Sequence, residues 1–211
     1  MLASKFLTTL EQDVPKFVSA VVSALEQDFG IIEVSSLQAD HVCWRTETLE
    51  EYTELVAALL HDEENNFSLL IKSEIGGRPI ATFQLAKQPI RCNSTGHEIS
   101  VLEIPSPKAK SPYRSGLEHV EFVIPTSSEG TTERSPWNDA THQAAFDEFM
   151  RRRPKLVDCW NQEARHKNIN PDISIKLNLQ QQDFSNNNCS VKFHLMPLAD
   201  VIAAEKQQLL R

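Results

Sequence analysis

Two segments of the chain, Ala39-Asp40-His41-Val42-Cys43-Trp44-Arg45-Thr46 and Leu117-Glu118-His119-Val120-Glu121-Phe122-Val123-Ile124-Pro125, read as strands built around a central histidine. Similar orders of elements follow both. A unit that occurs twice restricts the fold strongly, because each copy buries its apolar face against the same architecture. After the first segment, Thr48-Leu49-Glu50-Glu51 has the form of a capping box. It opens a helix with Leu49, Tyr52, Leu55, Val56, Leu59 and Leu60 on one face. Extended runs over 68–75 and 78–85 flank Gly76-Gly77, a pair suited to a tight hairpin because both residues accept positive φ. A further strand over Glu98 to Ile104 stops at Pro105, so the first half reads β-α-β-β-β.

The second half repeats that order. A polar loop over 126–135 leads to a helix from about Asn138 to Arg151, stopped by Pro154. Extended segments follow over Lys155 to Trp160, Ile173 to Leu179 and Ser190 to His194. His41 and Glu103 lie 62 residues apart (103 − 41), and His119 and His194 lie 75 apart (194 − 119); the longer polar loop accounts for the difference. Ahead of the repeat, Asp13 to Phe29 carries Val14, Phe17, Val18, Val21, Val22 and Leu25 at helical spacing. There Asp13 caps, Pro15 sits in the first turn and Gly30 terminates. Pro197 opens a closing helix through Leu198, Val201, Ile202 and Leu209.

The expected fold class is α+β, with two βαβββ modules in one curled mixed sheet and added N- and C-terminal helices. A single domain over 1–211 divides into a helical segment 1–30, a first module 36–105, a linker 106–116 rich in Pro, Ser, Lys and Gly, a second module 117–196 and a helix 197–211.

Composition narrows the partners. A formal charge of −8, with Arg151-Arg152-Arg153 as its only basic run, argues against nucleic acid, which needs clustered cations to neutralise phosphate. Cys43, Cys92, Cys159 and Cys189 are far apart, form no C-x-x-C pair and follow no secretory h-region, since Lys5 interrupts the apolar start. Reduced thiols in a cytoplasmic protein without a membrane segment are the expectation.

Strand parity then separates the chemistry. His41, Cys43 and Arg45 point to one face and Val42 and Trp44 to the other; His119 and Glu121 share a face opposite Val120 and Phe122. If the sheet curls, Glu103 and His194 on the closing strands join the polar layer. Imidazole nitrogens and a carboxylate from four strands make a mixed N/O site suited to a divalent ion such as Zn, Fe, Mn or Ni. Two alternatives stand beside it: strand histidines held by hydrogen bonds, and Glu103 paired with Arg45 or Arg78 without a metal. Glu121 reads as a general base or as an acceptor that orients His119. His61, His97, His142 and His166 read as surface residues, and Cys43 as a small buried thiol.

Ala-Asp-His at 39–41, Gly-Arg-Pro-Ile at 77–80, Glu-Ile-Pro at 103–105, Glu-His-Val-Glu at 118–121 and Lys-Phe-His at 192–194 resemble the bacterial YecM family. That family belongs to the vicinal oxygen chelate, or glyoxalase-like, superfamily, and the resemblance covers roughly residues 10 to 206. It implies paired βαβββ modules around a metal cup, with ligands on the first and last strand of each module. Carried over, these are His41 and Glu103, then His119 and His194, where His194 departs from the usual carboxylate. The expected function is a metal-dependent isomerase, lyase or oxygenase acting on a small oxygen-rich metabolite, with Glu121 as base and Arg45 and Arg78 holding a carboxylate or oxyanion. The alternatives are a non-catalytic small-molecule binding module of the same fold and an interaction scaffold with a vestigial cup.

Overall fold

A computed structural model describes residues 2–27, 29–108, 114–125, 136–137, 139–179 and 189–209. The expected loop over 126–135 and the middle of the linker, 109–113, lie outside the described residues.

The helix expected from Asp13 instead runs over the whole of Leu2–Gln27 (α1), with Pro15 in its interior. A proline there forfeits a backbone hydrogen bond and costs about 3 kcal/mol. A continuous buried stripe through Phe6, Leu10, Val14, Phe17, Val21 and Leu25 crosses the proline and offsets that cost. Strand β1 (Gln38–Arg45) precedes α2 (Leu49–Leu60), whose N-cap Thr48 accepts from the Glu51 amide as the capping box foretold. β2 (Phe67–Ile75) and β3 (Arg78–Leu85) form the hairpin, with Gly76 and Gly77 at φ 60° and 75°.

The single strand expected over Glu98 to Ile104 is two. β5 (His97–Ile99) pairs with β4 (Ile90–Cys92) in a small separate hairpin, and β6 (Val101–Pro105) enters the main sheet. β7 (Gly116–Val123) opens the second module and α3 (Ala140–Arg151) follows, capped by Asp139. The segment expected as a strand over Lys155 to Trp160 begins as a 3-10 turn, Pro154–Leu156, because proline supplies no ladder donor; only Trp160–Asn161 pair, as β8. β9 (Ile173–Leu177), β10 (Cys189–His194) and α4 (Leu198–Leu209) complete the chain.

Eight strands form one sheet in the order β2-β3-β6-β1-β7-β10-β9-β8. β1 and β7, the first strands of the two modules, lie antiparallel at its centre, and each pairs in parallel with the last strand of its own module. This is the expected α+β architecture, two βαβββ modules in one mixed sheet. On the apolar face Val42, Phe83, Leu102, Ile104, Val120, Phe122, Val191 and Phe193 pack beneath α1, α2 and α3. Phe193 meets Phe149 of α3 at 5.1 Å and Trp160 at 5.9 Å between ring centroids. No helix among the described residues is long and apolar enough to cross a membrane.

Candidate metal centre

The pairing registers carry the polar face across six strands in two adjacent rows. One row runs Gln84, Val101, His41, Glu121, Lys192, Ser174; the next runs Thr82, Glu103, Cys43, His119, Ser190, Lys176. Directly paired side chains on one face stand about 5 Å apart. The polar residues of β1, β6, β7 and β10 therefore converge with no long excursions.

Two irregularities of the central pairing add carboxylates to this face. Ala39 pairs Phe122 while His41 pairs Glu121, so Asp40 is an extra residue in β1; Cys43 pairs His119 while Trp44 pairs Leu117, so Glu118 is an extra residue in β7. Such bulges re-aim the side chains beside them. Asp40 Oδ2 lies 2.7 Å from His41 Nδ1, and Glu118 Oε2 lies 3.4 Å from His119 Nδ1. Each module thus pairs the outer ring nitrogen of its histidine with the carboxylate just before it. That arrangement turns both Nε2 atoms inward.

Inside, Glu121 Oε1 is 3.4 Å from His41 Nε2 and 3.3 Å from His119 Nε2, while Glu103 Oε2 is 3.5 Å from His119 Nε2. Ligands about 2.1 Å from one ion sit about 3.0 to 3.5 Å from each other, so these spacings fit a shared cation. Lys192 also reaches this centre, donating to Glu121 Oε1 at 2.6 Å and to His119 Nε2 at 3.0 Å. Both imidazoles and Glu121 are buried.

The electrostatics follow from that crowding. Burial works against an imidazolium at His41, but the charge of Glu121 and the hydrogen bonds of Asp40 and Glu121 outweigh it and raise its pKa to about 10. Burial opposes ionisation of Glu103, yet the His119 hydrogen bond and the Lys192 charge bring it down to about 2. Glu121 is likewise held well below the usual carboxylate range against its burial, chiefly by Lys192 and His41. The Cys43 thiol is pushed up to about 12 by burial. It donates to Glu118 Oε2 at 3.7 Å.

His194 is fully buried, with Nε2 at 3.3 Å from Asp40 Oδ2 and at 3.9 Å from Glu121 Oε2; burial lowers its pKa. It stands on the Asp40 side of His41, and its Nδ1 lies 3.1 Å from the Asn170 side-chain nitrogen. In the register, the counterpart of Glu103 is Lys192: Cys43 pairs Glu103 in the first module as Glu121 pairs Lys192 in the second.

Of the two arginines, Arg45 is buried and bonds Glu118 at 2.7 Å, while Arg78 stands two pleats along β3 from Thr82 and donates to the Ser106 carbonyl at 2.8 Å. His61 and His166 are exposed as expected. His97 and His142 are not: His97 bonds the Val34 carbonyl and Thr95 and packs edge-on against Phe122, and His142 closes on its helix cap Asp139. Both are structural histidines that a polar neighbourhood in sequence disguised.

Asp40, Glu118 and Lys192 were missed from sequence. The acid directly before each repeated histidine was the available signal; the bulges that turn it inward left none. Lys192 would have emerged only from the strand register.

A cleft of about 580 Å³ lies between the start of β1, the β4–β5 hairpin and the start of α4, and Asp40, Gln84 and Val101 form part of its wall. α4 leaves the end of β10, where the Leu198 amide donates to Asp40 Oδ2 at 3.0 Å, and reaches β2 at the far edge of the sheet. It straps the polar face.

A family model described as YecM protein matches residues 7–205. The chain is 24% identical over 205 residues to Protein YecM of Escherichia coli (strain K12), covering 95% of this chain and 94% of that protein. Among solved structures it is similar to Structural Genomics, Protein EC4020, with TM-score 0.60 and 23% identity over 94% of this chain and 92% of that one. Methylmalonyl-CoA epimerase is a weaker likeness, with TM-score 0.41 and 13% identity over 74% and 92% of the respective chains.

Proposed function

Because this chain belongs to the YecM family, we propose that its cup holds a divalent metal ion through His41, His119 and Glu121, with Glu103 as a fourth donor, and that the ion binds a small oxygen-rich metabolite. The observation that carries this reading is the pairing of both outer imidazole nitrogens with carboxylates, Asp40 and Glu118, which orients metal-binding histidines elsewhere. Charge supports it as well. Asp40, Glu103, Glu118 and Glu121 face Arg45 and Lys192, which leaves two negative charges when the histidines are neutral, as a divalent ion requires.

When bound, such an ion polarises a substrate oxygen as a Lewis acid. The protein's own residues do the rest. Asp40 and Glu118 fix the tautomers, Arg45 anchors Glu118, and the cleft beside Asp40 admits the metabolite. Glu121 is a ligand in this scheme, in place of the base expected from sequence, because its carboxylate oxygen is equidistant from both Nε2 atoms within 0.1 Å (3.4 − 3.3). His194 lies on the outer side of Asp40, with its Nε2 3.3 Å from Oδ2 but not hydrogen-bonded to it.

Metal-free protein titrated with Zn²⁺, Mn²⁺, Fe²⁺ and Ni²⁺ tests the reading. Stoichiometric binding that a His41→Ala, His119→Ala double variant abolishes is the expected result; no binding of any of the four would refute it. A second reading, a small-molecule binding module that works without metal, is favoured by the Lys192 ammonium that already bonds Glu121 and His119. Binding of metabolites by metal-free protein, undiminished by chelator, would select it.

A further inference from the structure

The two modules do not bring the same charge to the same place. Glu103 and Lys192 occupy equivalent register positions, each paired across from the residue two places after a module's histidine or the residue matching it. Lys192 Nζ stands 2.6 Å from Glu121 Oε1 and 3.0 Å from His119 Nε2, two of the four donors assigned to the ion above. An ammonium at hydrogen-bond distance from those atoms occupies lone pairs that the ion would use. A divalent cation and the ammonium also repel each other at such range in a water-poor site.

We infer that Lys192 is an internal competitor for the metal: its ammonium and the ion exchange at Glu121 and His119, and it sets the affinity of the centre. This rests on the metal reading above. The side chain suits the part. It is 25% exposed where Glu121 is 8% and His41 2%, and its flexible four-carbon stem lets the head group leave without moving β10. Asp172, buried just before β9 and bonded through Oδ2 to Lys167 at 2.7 Å, is close enough for its charge to act on Lys192 and draws the departing ammonium toward β9.

The exchange has a second consequence. A site with a built-in cation tolerates the empty state, because Glu121 is not left as an uncompensated buried charge. Without Lys192 that compensation falls to the imidazoles beside Glu121, and the metal-free centre should be less stable.

The test titrates Zn²⁺ into metal-free protein against a chromophoric chelator, comparing the unaltered chain with Lys192→Met, Lys192→Gln and Lys192→Arg. Lys192→Met is expected to bind at least tenfold more tightly and to gain more in Tm on metal addition, with Lys192→Gln behaving alike. Lys192→Arg, which keeps the charge, should stay within about threefold of the unaltered chain. If Lys192→Met refolds poorly without metal, Lys192→Gln gives the same readout. Equal or weaker binding by the neutral variants, with the unaltered chain binding, overturns the competitor role alone. No binding by any of the four proteins overturns the metal reading with it.

Discussion

The first and second modules place their backbones alike and their side chains differently. In each, an acid–histidine pair sits at a bulge on the central strand and a helix with a side-chain cap covers the apolar face. The closing strands then diverge, to Glu103 in one and Lys192 in the other, and so do the cores. Beneath the second module an aromatic cluster of Phe122, Phe193, Phe149 and Trp160 reaches the inner strands β7 and β10, whereas in the first module Phe6, Trp44, Phe67 and Phe83 cluster toward α1 and the hairpin, and Val42, Leu102 and Ile104 fill the inner strands. A duplicated frame thus keeps the positions from which residues reach the centre, while leaving charge and core volume free to change in either copy.

The largest effect that separates the modules is in the core. Phe193→Ala removes a ring that touches Phe122, Phe149 and Trp160, and should cost about 3–5 kcal/mol in urea unfolding. Leu102→Ala in the first module removes a smaller side chain, paired with Phe83, and should fall within the about 2–5 kcal/mol range for aliphatic truncation. Equal losses would show that the aromatic cluster adds nothing.

Next come the outer carboxylates. Asp40→Asn and Glu118→Gln should each weaken metal binding by about 10–100-fold. Asp40 is expected to cost more, because its contact with the imidazole is 2.7 Å against 3.4 Å for Glu118. Competition against a chelator measures both, and a reversed order would deny that the shorter contact orients its histidine better.

The smallest difference is in the caps. Thr48→Ala and Asp139→Ala should each lose about 1 kcal/mol near neutral pH. Only the second is sensitive to acid. Asp139 is held below the ordinary aspartate range, chiefly by its hydrogen bonds with His142, so its contribution is full above the unfolded value and fades as pH falls through the folded one. Denaturation midpoints at pH 7 and pH 3 should therefore converge for Asp139→Ala and its parent, while the Thr48→Ala gap persists.

Much of this frame was legible in sequence. The repeated histidine strands, the Gly76-Gly77 turn and the Thr48 cap follow from local chemistry that tertiary packing does not override. Pro15 misled because a long apolar stripe outweighs one lost hydrogen bond, and Pro154 because an apolar run needs ladder donors as well as volume. At the centre, parity brought His41, His119 and Glu121 to one face, but parity assumes an unbroken pleat. Asp40 and Glu118 face inward because the pleat breaks, and Lys192 stands out only when strands are laid side by side.

The strap formed by α4 gives the centre a distant reporter. Its first amide and the His41 ring share one carboxylate oxygen, Asp40 Oδ2, so a shift of that oxygen toward either partner weakens its bond to the other. Linkage of this kind is reciprocal. Filling the centre should change the hydrogen-exchange protection of the Leu198–Ile202 amides, and clipping the helix should change how readily the centre fills. The C-terminal segment is in this sense a gauge of what the cup contains.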